Sequence, residues 1–281
     1  MEGSVTETGA PQLVIHGVRG STPVGGQDTA RYGGHTICMS VNDDRGRVLI
    51  LDLGTGLRDL QARLPKRTGG YHFDVFLTHY HWDHLQGLPF FLPLYDPANS
   101  FTFYGFGWEG MGVEELIAGT FQPPWFPVSL ADTAADKEYV ALDGDTIHVG
   151  ELAVSWTRLK HPQGVTAYRI DGPNTAVVVA TDHEAGDPEF DEALYALGRG
   201  ADVLIHDAQY TDGEYELHYE GWGHSTWTHA VDAAREIGVS RLVLISHDPS
   251  HGDDAVDAIV QEARNEFAHL DAAFEGMAIP L

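Results

Sequence analysis

Apolar and polar positions along the 281-residue chain fall into short runs, and most of the runs read as strands. Residues 13–18 (Leu-Val-Ile-His-Gly-Val) predict a first strand, ending in the Gly/Pro-rich loop Arg19-Gly-Ser-Thr-Pro-Val-Gly-Gly26. Period-two patterns at 36–42 and 47–53, joined by Asp43-Asp44-Arg45-Gly46, predict a hairpin. Asp52-Leu-Gly-Thr-Gly56 turns into a helix over 57–64, and a buried strand over 73–78 runs straight into His79. Further strands are predicted at 139–142, 146–149, 152–160, 165–171 and 175–181. A helix over 188–197 follows, with Asp187 as N-cap and Pro188 at its first position. Then come a strand (201–206), a helix (226–237, closed by Gly238), a strand (241–246) and a helix (253–268).

Residues 89–130 are rich in Phe, Pro, Trp and Gly and read as a loop-heavy insertion with one helix near 113–119. Two strand-rich halves, each followed by helices, predict an α/β sandwich of two sheets with helices outside. No linker, short-period repeat or strong break divides the chain, so one domain over 1–281 is expected.

Composition narrows the partners. Forty-two Asp and Glu against 16 Lys and Arg give a formal charge of −26, which disfavours long nucleic acid and anionic membranes. With 43% hydrophobic residues the chain is nonetheless a globular protein rather than an acidic tail. Its one cysteine, Cys38, excludes an internal disulfide. Residues 1–12 are acidic and Thr/Gly-rich, a flexible terminus rather than a signal peptide, and no apolar run approaches bilayer length. The expected location is the cytoplasm. Sixteen histidines, as many as all Lys and Arg together, direct the search to metal ligands.

The strongest signal is Thr78-His79-Tyr80-His81-Trp82-Asp83-His84-Leu85-Gln86-Gly87. At a strand end, residues two apart point the same way, so His79 and His81 can grip one ion. Once the chain turns, Asp83 and His84 can face a second. Imidazole with carboxylate suits zinc, with manganese or iron also open.

This segment resembles the His-x-His-x-Asp-His signature of the metallo-β-lactamase superfamily. The resemblance extends over nearly the whole chain, because His161, Asp182 and His247 stand in order at predicted strand ends. It implies a four-layer αββα sandwich of mixed sheets and a site for two divalent ions. By that analogy His79, His81 and His161 bind one ion, Asp83, His84 and His247 the other, and Asp182 bridges them. An aspartate at position 182, where true zinc β-lactamases commonly have cysteine, points to the hydrolases with two full metal sites. Gly221-Trp-Gly-His224-Ser225-Thr226 resembles the His-Ser-Thr element of ribonuclease Z-like phosphodiesterases. Ser225 reads as a helix N-cap, which places His224 where anions are favoured.

Arg19 and the Tyr32-Gly-Gly-His35-Thr segment resemble loops of relatives on that branch. Arg19 is a candidate phosphate ligand and equally a candidate loop tie. Asp207 reads as fixing the tautomer of a ligand histidine, and His206 as structural. His183, His218 and His251 are near-site candidates with a bland reading favoured.

The function implied is hydrolysis of a small phosphodiester or cyclic phosphate by a hydroxide held between two ions. Asp83 would orient the attack, and His224 would donate a proton or bind the phosphoryl group. Ribonuclease Z enzymes hold transfer RNA with an extra arm, whereas 162–181 reads only as strand–turn–strand, and no basic cluster replaces the arm. Hydrolysis of a lactone, thioester or β-lactam at the same site is the main alternative. A metal-loaded sensor of a small anion is another, and a redox di-iron role is less attractive. A homodimer is the family-level expectation.

Overall fold

The structure is a computed structural model that describes residues 11–43 and 45–281. Most of the flexible terminus expected at 1–12, and Asp44 of the expected hairpin turn, lie outside the described residues. Gln12 itself already pairs with Pro280 in a strand.

The first half comprises β1 (Gln12–Gly17), β2 (Cys38–Asn42), β3 (Arg47–Leu51), α1 (Leu57–Arg63), β4 (His72–Phe76), β5 (Ser100–Gly105), α2 (Val113–Ala118) and β6 (Asp136–Ala141). The second comprises β7 (Thr146–Val149), β8 (Leu152–Leu159), β9 (Val165–Asp171), β10 (Ala176–Ala180), α3 (Pro188–Gly198), β11 (Val203–Asp207) and α4 (Asp212–Glu214), which runs on as a π-helical turn at Tyr215–Tyr219. It continues with α5 (Trp227–Ile237), β12 (Arg241–Ile245), α6 (Asp253–Ala263), β13 (Leu270–Ala272) and β14 (Ala278–Pro280).

The strands form two seven-stranded sheets, ordered β14-β1-β2-β3-β4-β5-β6 and β13-β12-β11-β10-β9-β8-β7. Each sheet is antiparallel over three pairings and parallel over the other three. The period of two sends alternate residues to different layers. In β10, Val177 and Val179 join the core between the sheets, while Ala176, Val178 and Ala180 face the helices. That outer layer packs Ala230 and Ala234 of α5 and Val256 of α6 against Leu204 and Leu244. On the other side Leu57 and Leu60 of α1 and Ile117 of α2 cover Ile50, Phe73 and Val75. The result is the expected four-layer sandwich.

Three expectations need correction. Residues 89–130 are not simply an insertion, because 100–105 form β5, a parallel strand between β4 and β6 whose Phe101 and Phe103 are buried. The last helix stops at Ala263, and β13 and β14 then close one edge of each sheet. The cap of α5 is Thr226, whose hydroxyl accepts from the His229 amide, rather than Ser225. Among the described residues no helix is long and apolar enough to cross a membrane.

Candidate metal centre

Strand exits build the site. Thr78 and His79 follow β4, His161 follows β8, Asp182 follows β10, Asp207 ends β11 and Ser246 follows β12. Three exits adopt positive φ without glycine: Asp52 (58°), Asp182 (56°) and Ser246 (63°). Such backbone costs about 1–2 kcal/mol per residue, and it turns each chain sharply out of its sheet.

Hydrogen bonds on the outer side of each ring set its tautomer. His79 Nδ1 donates to Thr78 Oγ1 (3.0 Å), and Thr78 Oγ1 donates in turn to Asp52 Oδ2 (2.8 Å). His81 Nε2 donates to Gln163 Oε1 (2.9 Å), and His161 Nδ1 donates to the Gly223 carbonyl (2.7 Å). Three lone pairs therefore converge: His79 Nε2, His81 Nδ1 and His161 Nε2. Their ligand atoms lie within 4.8 Å of one another. His79 Nε2 is buried with no hydrogen-bond partner, and His81 Nδ1 stands 3.1 Å from His161 Nε2. Facing lone pairs at that spacing need a proton or a cation between them, and about 3.3 Å is the edge of a tetrahedron with Zn–N bonds of about 2.0–2.1 Å.

The opposite flank is rich in carboxylates. His84 Nδ1 donates to Asp52 Oδ2 (2.7 Å), which aims Nε2 at Asp182 Oδ2 (3.0 Å) and Asp83 Oδ2 (3.3 Å). Asp182 Oδ2 also lies 3.7 Å from His79 Nε2, so one carboxylate touches both flanks. The Ser21 amide donates to Asp83 Oδ2 (2.9 Å). Beyond Asp182, His224 Nδ1 donates to Asp207 Oδ2 (2.8 Å), and the ligand atoms of Asp182, Asp207 and His224 again fall within 4.8 Å.

Charge follows geometry. Burial, reinforced by the neighbouring imidazoles, holds His79 well below its ordinary pKa, and burial lowers His161 too. Burial opposes charge on His84 as well, yet Asp182, Asp83 and Asp52 outweigh it and raise His84 well above the ordinary value. His224 is pushed up to about 9, with burial overcome by Asp207. A donor set of four imidazoles and two carboxylates in this array fits divalent cations.

Several groups escaped the sequence reading. Asp52 holds both Thr78 and His84, Gln163 fixes His81, and Glu184 anchors the turn that carries Gly223. Glu184 Oε1 accepts from the Gly221 amide and Tyr215 Oη, and Oε2 from the Gly223 amide. A Cβ at Gly223, whose φ is +95°, would stand 2.3 Å from His161 Nδ1. The legible hint was position alone, since Asp52 and Glu184 both sit at or beside a strand exit.

Two expected site residues are not brought in. His247 Nε2 donates to the Ala273 carbonyl (2.9 Å), and the ring meets Tyr32 edge-on. No ligand group among the described residues contains it. The left-handed turn at Ser246 is the reason, since it presents the Ser246 hydroxyl to Asp182 Oδ1 (3.4 Å) instead. Arg19 is fully buried and donates to the carbonyls of Gly33, Asp248 and His251, so it ties loops together and is closed to substrate. His183 pairs with Asp191, His251 with Glu214, and His218 is exposed.

Residues 47–247 match the family model of the beta-lactamase superfamily domain. Ribonuclease BN of Salmonella paratyphi C is 26% identical over 286 aligned residues, spanning 83% of this chain and 89% of that one. Ribonuclease Z of Geobacillus kaustophilus is 36% identical over 97 residues, 34% of this chain and 31% of that one. The metallo-beta-lactamase fold protein YhfI of Bacillus subtilis superposes with a TM-score of 0.71 at 19% identity, covering 96% of this chain and 99% of its own. The chain belongs to the beta-lactamase superfamily, on its ribonuclease Z-like branch, and is a metal-dependent hydrolase.

Proposed function

We propose that the cluster holds two divalent cations, most simply zinc, and that the chain hydrolyses a small phosphodiester. His79, His81 and His161 would hold one ion, Asp83 and His84 the other, with Asp182 between them. When bound, such ions polarise a phosphoryl oxygen and lower the pKa of water. The chain's own residues supply the rest. Outer hydrogen bonds donated by the rings to Thr78, Gln163, Gly223 and Asp52 keep the ligand nitrogens aimed inward. Asp83, anchored by the Ser21 amide, orients the attacking group. His224 keeps its proton at neutral pH because Asp207 holds it, and it donates that proton to the departing oxygen.

The observation that carries this reading is the Asp207–His224 pair on the carboxylate flank. A poised acid matters most for a poor alkoxide leaving group. The names of the two relatives, ribonucleases BN and Z, point to phosphodiester cleavage as well.

Small substrates are favoured over long RNA. Between His161 and Asp182 the chain is only β9, a turn and β10, with no arm. Seven arginines, among them Arg47, Arg169 and Arg241, are paired with Asp or Glu partners, which weakens their pull on a polyanion.

The test is a substrate panel on metal-loaded protein: bis(p-nitrophenyl) phosphate, cyclic nucleotides, a lactone, a thioester and an RNA with a 3′ extension. Turnover of the small phosphodiesters, lost on chelation, is the expected result. Faster turnover of the lactone or thioester would replace the phosphodiester reading, and RNA as the best substrate would overturn the size argument.

A further inference from the structure

Beside the histidine flank lies a cavity of about 320 Å³, at the small end of ligand sites. His79 and His81 form part of its lining, and Tyr80, Phe106, Trp108, Leu116, Arg158 and Gln163 form the rest of the wall that matters here. Most polar groups in that wall are already engaged. Tyr80 Oη donates to the Phe106 carbonyl (2.8 Å), and Gln163 Oε1 accepts from His81.

Arg158 is the only Lys or Arg side chain in the cavity's lining. Its guanidinium lies over the Phe106 ring, 4.8 Å from the centroid, and donates one bond to the Gln163 carbonyl (3.2 Å). Among the described residues it makes no ion pair with a carboxylate, in a chain with 42 acidic side chains. Burial lowers its pKa, and the groups acting on its charge are the phenols of Tyr168 and Tyr80. A stacked guanidinium keeps its remaining N–H donors in its own plane, free for a ligand.

We propose that this cavity seats the organic substituent of the phosphodiester, and that the substituent is a flat aromatic ring bearing hydrogen-bond acceptors, of nucleobase type. The inference rests on the phosphodiesterase reading. Trp108, Tyr80 and Phe106 offer the aromatic surface that a ring buries best. Arg158 meets the acceptors on the ring edge. A methyl substituent would leave the cavity unfilled and the guanidinium unmatched. Because the cavity reaches His79 and His81 directly, a phosphoryl group at the cluster places its substituent there without a spacer.

The experiment compares kcat/KM for three esters with one leaving group: p-nitrophenyl esters of methyl phosphate, of 3-carboxypropyl phosphate and of uridine 5′-phosphate. The uridine ester is expected to exceed the methyl ester by about tenfold or more. Trp108→Ala and Arg158→Met each bring that ratio towards unity, and Arg158→Lys, which keeps charge but loses the planar fork, lowers it in part. Phe274→Ala, remote from the cavity, keeps the ratio. A readout free of turnover is calorimetric binding of uridine 5′-monophosphate and of inorganic phosphate to metal-free protein, with the nucleotide binding more tightly in the parent and the advantage lost in both variants. Equal rates for the methyl and uridine esters, a preference for the carboxypropyl ester, or equal binding of nucleotide and phosphate overturns this inference and leaves the phosphodiesterase reading intact. Hydrolysis of none of the esters overturns both.

Discussion

The two flanks of the cluster use the same side chain in opposite electrical states. On one, His79, His81 and His161 are set by neutral or backbone acceptors, and burial holds His79 and His161 below their ordinary pKa. On the other, His84 and His224 each lean on a buried carboxylate, and both are held above it. His84 differs because Asp182, Asp83 and Asp52 surround it, and His224 because Asp207 stands behind it, whereas the neutral acceptors behind His79 and His161 leave burial to decide. The carboxylate flank must give up a proton on His84 before it can take a cation there.

Removing the link between the flanks is the largest expected effect. Asp182 Oδ2 lies within 4 Å of ligand nitrogens on both, at His84 Nε2 and His79 Nε2. Asp182→Ala should lower phosphodiester turnover by at least about a thousandfold and reduce bound metal, as elemental analysis would record. Full activity with full metal content would erase the distinction drawn here, because the flanks would then be working separately.

The next effect separates proton donation from metal binding. His224→Ala should cost about 10²–10⁴ in turnover of esters with alkoxide leaving groups, and far less for nitrophenyl esters, whose leaving group needs no proton. Equal losses on both kinds of ester would make His224 a phosphoryl-binding residue. In the parent enzyme, activity on alkoxide esters should fall as pH rises through the titration of His224, near 9 before the nearby cations are counted. Asp207→Asn removes the carboxylate that raises it, so that alkaline limb should move to lower pH.

How much of this was readable in advance follows from the range of each interaction. The segment from His79 to His84 was legible because four ligating groups lie within six positions and an apolar run marks the strand before them. Asp182 was legible as a strand exit. The acceptors behind the rings were not: Asp52 reaches His84 across 32 positions and Gly223 reaches His161 across 62, and no local pattern marks either. In the fold, β5 was hidden although Ser100-Phe-Thr-Phe-Tyr-Gly105 alternates, because prolines and glycines on both sides favoured a loop. Its alternation is real in space, with Phe101 and Phe103 under the helices and Tyr104 packed on the core between the sheets. β13 and β14 are three residues each, too short to carry a period.

Acidification gives a smaller and graded test of the two flanks. A raised pKa on His84 means protons compete with a cation there as pH falls, while the depressed values on His79 and His161 delay that competition. Metal content measured by dialysis from pH 8 to pH 5 should therefore fall from two equivalents towards one, with the histidine flank retaining its ion longest. Loss of both ions together would mean that Asp182 couples them too tightly for separate occupancy.

The smallest effect is expected where sequence order and geometry disagree most. Order along the chain makes His247 the last ligand, yet the turn at Ser246 directs its Nε2 to the Ala273 carbonyl and its ring to Tyr32. In this arrangement His247 fastens the exit of β12 to the segment after β13. His247→Ala should then cost about 1 kcal/mol of stability, the scale of one buried hydrogen bond, and leave metal content at the parent level. Loss of one equivalent of metal in that variant would show that a cation on the carboxylate flank draws the ring inward. The two flanks would then differ in a second respect, one preformed by its outer hydrogen bonds and the other completed only on binding.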